Sequence, residues 1–210
     1  MPVTPGAADV LIIVDVQNDF LPGGALAVAD GDAVVPIINR LAPLFANVVM
    51  TQDWHPADHV SFASMHEGRA PFETIELGYG QQVLWPDHCV IASAGAGFAP
   101  GLDTSTAQMI VRKGYRRDVD SYSGFREADR ETPTGLAGYL GERGLERVFV
   151  CGLATDFCVS WTALDAVQAG FETLVIEDAC RAIDQNGSLA AAQEAWTTAG
   201  IRRLASTEIA

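Results

Sequence analysis

Short runs of consecutive apolar residues recur along the chain, and stretches with helical periodicity separate them. The runs are VLIIVDV (10–16), NVVMTQD (47–53), AQMIVRKG (107–114), RVFVCGL (147–153) and FETLVIED (171–178). Continuous rather than alternating apolar residues are typical of strands that are buried on both faces. Helical patterns cover residues 31–46, 132–144, 155–170 and 187–200, and IRRLAS near the end favours a last edge strand. The sequence therefore predicts an α/β fold, a Rossmann-like open parallel sheet of about six strands with helices on both faces.

A chain of 210 residues has the size of one domain, and we expect a single domain over residues 1–210. The segment 54–108 has no clear periodicity and is rich in Pro, Gly, His and aromatic residues. Since connections of this length are rarely idle loops, the segment is expected to carry part of a functional site.

Charge and cysteine usage exclude several classes of protein. The chain has 27 acidic and 13 basic residues, a net charge of −14, and no cluster of basic residues. Binding to nucleic acid or to an anionic membrane is therefore not expected. The chain has no apolar run long enough to span a bilayer, no pattern of a secretion signal and no disulfide framework in its four cysteines. These features predict a cytoplasmic protein with reduced thiols.

Four residues that carry chemistry follow predicted strands: Asp15, Asp53, Lys113 and Cys158. The carboxyl ends of parallel strands lie along one edge, so these side chains are expected to meet there. Lys113 is the only lysine in a chain with twelve arginines, and Cys158 opens a helix, where a thiol pKa is lowered. An acid, an ammonium and a thiol together indicate nucleophilic catalysis. Each residue also has a non-catalytic interpretation. Asp15 would cap a helix or turn, Lys113 would be the one lysine left by a compositional bias towards arginine, and Cys158 would be one buried cysteine among four.

A second cluster involves the histidines. Asp53 and His55 are two positions apart in TQDWHPADH, and His88 lies in the turn WPDHC. One carboxylate and two imidazoles suit Zn²⁺, Fe²⁺ or Mn²⁺ and leave coordination positions open. His59 is a candidate for a further ligand or for a hydrogen-bond partner of one. Spacing alone is weak support, because Asp-x-His pairs also arise by chance.

Five segments together resemble the nicotinamidase family of the isochorismatase-like cysteine hydrolases. They are DVQNDFLPGG (15–24), TQDWHPADHVSF (51–62), WPDHCV (85–90), KG with DSYSGF (113–125) and CGLATDFCV (151–159). They occur in the family's order and run through most of the chain. The resemblance implies the family's α/β fold and amidohydrolase chemistry.

The resemblance also implies roles for individual residues. Asp15, Lys113 and Cys158 match the catalytic triad, and the backbone N–H groups of Ala154 and Cys158 match the oxyanion hole. The peptide bond before Ala154 matches a cis bond of the family. The metal ligands match Asp53, His55 and His88, with His59 a ligand in some relatives. The substrate contacts match Phe20, Trp85, Tyr122, Leu153, Ala154 and Phe157.

The activity implied by the resemblance is hydrolysis of nicotinamide, and of pyrazinamide, through a thioester on Cys158. In this family the nicotinate formed serves NAD salvage. One divalent metal is implied, with zinc the first choice, and no nucleotide cofactor, since no GxGxxG follows the first strand. The partner is a small molecule; homo-oligomers occur in the family and are compatible with this chain.

Four other functions stay open at this point. The nearest is an amidase of the same superfamily that acts on a carbamoyl or ureido compound. Cleavage of a vinyl ether, the reaction of isochorismatase, is disfavoured by a thiol at Cys158. A non-catalytic binding protein has no need of both Cys158 and Lys113, and a zinc hydrolase without covalent catalysis would tolerate alkylation of the thiol.

Overall fold

A computed structural model describes residues 2–210 and contains a six-stranded sheet and a separate two-stranded hairpin. The strands are β1 (Asp9–Val14), β2 (Asn47–Asp53), β3 (Thr74–Leu77), β4 (Gly80–Val83), β5 (Met109–Lys113), β6 (Arg147–Leu153), β7 (Glu172–Arg181) and β8 (Arg202–Leu204). The large sheet has the order β5-β2-β1-β6-β7-β8, and every neighbouring pair is parallel. The predicted parallel α/β sheet of six strands is confirmed.

The central strands are buried on both faces, which explains their continuous apolar sequences. All residues of β1 and β2 are buried, and so are all but the first residue of β6. β5 lies at one edge of the sheet, and there Ile110 is 47% exposed. The strands that carry or precede Asp15, Asp53 and Cys158 are therefore buried on both faces, whereas Lys113 ends a partly exposed edge strand.

In the described part of the chain, four α-helices connect the strands: α1 (Val34–Leu41), α2 (Leu136–Glu142), α3 (Ser160–Gln168) and α4 (Ser188–Ala199). Each is shorter than its sequence pattern. Around α1 the pattern 31–46 divides into an α-helix with a 3₁₀ turn on either side, and Pro43, which has no N–H to continue an α-helix, lies in the second turn. α2 begins only at Leu136, because Pro133 is paired with Arg126 in an isolated bridge.

The order of the strands places a topological switch point between β1 and β6. From β1 the chain proceeds outwards to β2 and β5, and then returns to the other side of β1 for β6, β7 and β8. Right-handed crossovers place α1 on one face and α2, α3 and α4 on the other. Ligands of such sheets bind at the carboxyl ends of the strands beside the switch point, where Asp15 follows β1 and Cys158 follows β6.

The segment 54–108 covers the carboxyl end of β2 and contains the β3–β4 hairpin and a 3₁₀ turn at Ala63–Met65. Isolated bridges join His55 with Val90 and Phe62 with Trp85. The segment is therefore an ordered layer rather than an extended loop. No helix within residues 2–210 combines the length and the apolar composition needed to span a bilayer.

Candidate active site

The ammonium of Lys113 is the centre of a buried cluster at the sheet edge. Its Nζ lies 2.8 Å from Asp15 Oδ2 and 2.5 Å from Asp53 Oδ1. It also donates hydrogen bonds to Ser121 O at 2.8 Å and to Cys158 Sγ at 3.4 Å. Lys113 and Asp15 are completely buried. The structure thus brings together all four residues that the sequence placed at the strand ends.

β1 and β2 hold Asp15 in one orientation. Its backbone N–H donates to Thr51 Oγ1 at 3.2 Å, and the Thr51 hydroxyl donates to Asp15 Oδ1 at 2.6 Å. Its Oδ2 faces Lys113, and a carboxylate oxygen of Asp15 lies within 4.8 Å of Cys158 Sγ. Burial raises the pKa of Asp15, although Lys113 opposes the change. The carboxylate is therefore a stronger base than an aspartate in water.

Cys158 lies in a turn of π-helical geometry, Thr155–Val159, between β6 and α3. A cis peptide bond joins Leu153 to Ala154 just before this turn, as the resemblance implies. The expected lowering of the thiol pKa is wrong for the free protein: burial raises the pKa of Cys158 well above its usual value, although Lys113 opposes this. The neutral thiol is the resident form, and it needs a neighbouring base to become a nucleophile.

The neighbouring charges fix the ionisation of Lys113 and Asp53. Burial alone would lower the pKa of Lys113, but Asp15 and Asp53 raise it well above the usual value. Burial likewise opposes ionisation of Asp53, but Lys113 and His55 hold its pKa well below the usual range. The two side chains form a buried ion pair, in which the attraction between the charges offsets the cost of burying each of them.

Two imidazoles converge on the second oxygen of Asp53. Nε2 of His55 and Nε2 of His88 lie 3.5 Å and 3.8 Å from Asp53 Oδ2. The Nδ1 atoms lie 2.9 Å from Gly114 O and 2.8 Å from Pro86 O, so Nδ1 carries the proton and donates in each ring. In the neutral imidazole this tautomer leaves Nε2 of each ring free to bind a metal, and both Nε2 atoms lie beside Asp53 Oδ2. The three side chains form a buried group of suitable size for one metal ion.

His59 lies beside this group, with its ring centroid 4.3 Å from that of His55. Its two nitrogens are hydrogen-bonded to Ser61 Oγ at 2.7 Å and Val119 O at 3.2 Å. Burial lowers the pKa of His59 to about 4, so the ring is neutral. His55, His59 and Asp120 also form a buried group whose ligand atoms lie within 4.8 Å of one another, so a role of His59 as a further metal ligand stays a prediction.

A small cavity opens above the thiol and the histidines. Its aromatic walls are Phe20, Trp85, Tyr122 and Phe157, and Ala154 also lines it. Trp85 Nε1 donates to Tyr122 OH at 2.9 Å, and the rings of Trp85 and Phe157 pack edge to face. These contacts hold three of the aromatic walls in place relative to one another.

The cavity differs from the sequence prediction at four positions. Leu153 is not among the residues that line the cavity, since its buried side chain lies towards Gly31, and its role as a substrate contact stays a prediction. Leu26, Asp120 and Ile183 line the cavity and were missed. Asp120 begins the segment DSYSGF two positions before Tyr122, a spacing that points to it, whereas nothing in the sequence around Leu26 or Ile183 does.

Comparison with known proteins places this site in a family. The isochorismatase domain family matches residues 9–205. The nicotinamidase of Acinetobacter baylyi is 57% identical over 199 residues, which cover 95% of this chain and 93% of that protein.

Three solved structures have the same fold. A nicotinamidase and pyrazinamidase of Acinetobacter baumanii has a TM-score of 0.96 at 59% identity, covering 97% of this chain and 98% of that one. A protein of L. infantum in complex with nicotinate has a TM-score of 0.88 at 41% identity, covering 100% of this chain and 99% of that one. A pyrazinamidase of Pyrococcus horikoshii in complex with zinc has a TM-score of 0.76 at 37% identity, covering 94% of this chain and 99% of that one. The chain therefore belongs to the isochorismatase family and, within it, to the nicotinamidases.

Proposed function

We propose that this chain hydrolyses nicotinamide to nicotinate and ammonia, and that one domain spanning the chain carries the activity. The observation that carries the proposal is the contact of Lys113 Nζ with both Asp15 Oδ2 and Cys158 Sγ at the base of an aromatic cavity. The relatives named nicotinamidases and the neighbour that holds nicotinate support the same substrate. Nicotinate released in this way feeds the synthesis of pyridine nucleotides.

The first half of the reaction acylates the enzyme. Asp15, whose pKa is raised by burial, takes the proton of the Cys158 thiol, and the thiolate attacks the carboxamide carbon. The N–H groups of Ala154 and Cys158 stabilise the tetrahedral oxyanion, an interaction worth about 3–4 kcal/mol for each donor. Asp15 then gives the proton to the leaving nitrogen, and ammonia departs.

The second half releases the acid. Asp15 accepts a proton from water, the resulting hydroxide attacks the thioester carbon, and Cys158 leaves as a thiolate that takes this proton back from Asp15. Lys113 stabilises the ionised forms of Asp15 and Cys158 in both halves of the reaction, because its ammonium contacts both the carboxylate and the sulfur. A fixed cation balances the negative charge that moves between Asp15 and Cys158.

Asp53, His55 and His88 are proposed to hold one divalent metal, since their ligand atoms converge and both Nδ1 atoms are occupied. Zinc is the first choice, with iron or manganese also compatible with this donor set. When bound, the metal supplies a Lewis acid that orients the ring nitrogen of the substrate. Phe20, Trp85, Tyr122 and Phe157 hold the faces of the ring.

The test is release of nicotinate and ammonia from nicotinamide by the purified, zinc-loaded protein. Pyrazinamide is assayed in parallel, together with an N-carbamoyl amino acid, the substrate type of the main alternative. Turnover of the two ring carboxamides without turnover of the carbamoyl compound is expected. The reverse pattern would overturn the proposed substrate while leaving the thiol mechanism in place.

A further inference from the structure

Gln17 is a buried glutamine to which the proposed reaction assigns no part. It follows β1 by three residues and its side chain is completely buried. A buried carboxamide is costly unless its donors and acceptor are paired, so its partners indicate what it does.

Those partners are on the backbone of Asp53. The N–H of Asp53 donates to Gln17 Oε1 at 2.8 Å, and Gln17 Nε2 donates back to Asp53 O at 2.9 Å. The second N–H of the amide donates to Ala96 O, also at 2.9 Å. Both N–H groups and the carbonyl oxygen of the side chain are thereby used.

The pairing occurs where the sheet no longer supports β2 on one side. The last residues paired between β1 and β2 are Ile13 and Met50, three residues before Asp53. On the other side of β2, Asp53 is paired with Lys113 of β5. Beyond the last β1 pair, the side-chain amide of Gln17 forms the hydrogen bonds to the Asp53 backbone that a neighbouring strand would otherwise form. Asp53 is therefore held by Gln17 on one side and by β5 on the other.

Asp53 needs accurate placement because its two oxygens have different partners. Oδ1 lies 2.5 Å from Lys113 Nζ, while Oδ2 faces the Nε2 atoms of the two histidines. A small displacement of the backbone would lengthen one set of contacts as it shortened the other.

We propose that Gln17 is a positioning residue that fixes Asp53 for metal binding. The inference rests on the proposed metal site of Asp53, His55 and His88. It predicts that zinc affinity depends on an amide that does not contact the metal, as is typical of groups that orient metal ligands.

The chain offers a matched control in Gln52. Its side chain is also buried, and its Nε2 donates to the same Ala96 O at 2.9 Å. Its Oε1 accepts from Arg112 Nε rather than from the backbone of a proposed ligand. Gln52→Met therefore removes a similar amide and a hydrogen bond to the same Ala96 carbonyl oxygen, while both hydrogen bonds between Gln17 and Asp53 remain.

The experiment measures the zinc dissociation constant by chelator competition for the wild type, Gln17→Met, Gln17→Glu and Gln52→Met, with urea unfolding of each metal-free protein. Gln17→Glu keeps an acceptor for the Asp53 N–H and serves if Gln17→Met does not fold. Both Gln17 variants are expected to bind zinc about 10–100-fold more weakly. Gln52→Met is expected to stay within about threefold of the wild type even at a similar loss of stability.

Two results would overturn the inference: a folded Gln17 variant with zinc affinity near that of the wild type, or a loss in Gln52→Met as large as in Gln17→Met. Failure of the wild type to bind zinc would instead refute the proposed metal site, and the inference with it. Nicotinamide turnover plays no part in this measurement, so a different substrate leaves its outcome unchanged.

Discussion

The two sides of the cavity are built by different means. On the catalytic side, Asp15 and Lys113 lie at strand ends and Cys158 in the turn after a strand, so the parallel sheet positions all three. On the metal side only Asp53 belongs to a strand, while His55 and His88 come from the irregular segment and depend on carbonyl groups of Gly114 and Pro86. A sheet fixes a reactive group through many shared contacts, whereas single hydrogen bonds fix a ligand and can be removed one at a time.

Asp53 belongs to both sides, since one oxygen contacts Lys113 and the other faces the histidines. The comparison therefore predicts that the two sides can be separated by mutation everywhere except at Asp53. The variants below test that separation, beginning with the largest expected effect.

Cys158→Ala is expected to lower nicotinamide turnover by about 10⁴-fold or more, because it removes the nucleophile. Zinc affinity should not change, since Cys158 is not one of the three converging ligands. Cys151→Ala is the control: this cysteine is completely buried in β6, away from the cavity, and its loss should reduce stability but not chemistry. Ammonia release and zinc titration measure both variants, and retention of more than about a hundredth of the activity by Cys158→Ala would contradict the assignment.

His88→Ala is expected to weaken zinc binding by about 100-fold or more and to lower turnover with it, because one of three ligands is lost. The rate at which iodoacetamide alkylates Cys158 should stay within about threefold, since the sheet holds the thiol independently of this loop. His66→Ala is the matched control, because the ring of His66 is hydrogen-bonded to Val60 O and does not line the cavity. A large fall in thiol reactivity in His88→Ala would break the distinction between the two sides.

Gly114→Ala is expected to weaken zinc binding about tenfold, because a Cβ atom there would overlap the ring of His55. The change also places a side chain at a φ of +66°, which costs about 1–2 kcal/mol. Gly144→Ala separates the two effects, since Gly144 has a φ of +65° and nothing within 4 Å of an added Cβ. Equal zinc affinities in the two variants would show that His55 does not depend on this close approach.

Glu127→Gln removes a buried carboxyl group and has the smallest expected effect of the four variants. Burial raises the pKa of Glu127, and its Oε2 has no hydrogen-bond partner among the described residues. A raised pKa in the folded protein means that stability is lost as pH rises and the buried carboxyl ionises. The variant should therefore gain about 1 kcal/mol in free energy of unfolding at pH 8 and less at pH 5. Urea unfolding at both pH values measures this, and an equal difference at the two would contradict it.

The parallel sheet and the meeting of Asp15, Asp53, Lys113 and Cys158 were predictable, because continuous apolar runs identify buried strands and parallel strands end at one edge. The hydrogen bonds of the metal side were not. Gln17 acts on a residue 36 positions away and Gly114 on one 59 positions away, and no local pattern reports such contacts. The direction of the Cys158 pKa was missed for a related reason: the turn into a helix is visible in the sequence, but the burial that outweighs it is not.

The burial of the chain's one lysine has a practical consequence. A protease that cleaves only after lysine has a single target in this protein, the bond after Lys113, at the end of β5 and beneath the cavity floor. Cleavage requires that this edge strand open, so its rate reports the population of molecules in which β5 has detached. The appearance of two fragments, 1–113 and 114–210, then measures how often the strand at the active site opens, whether by local or by global unfolding.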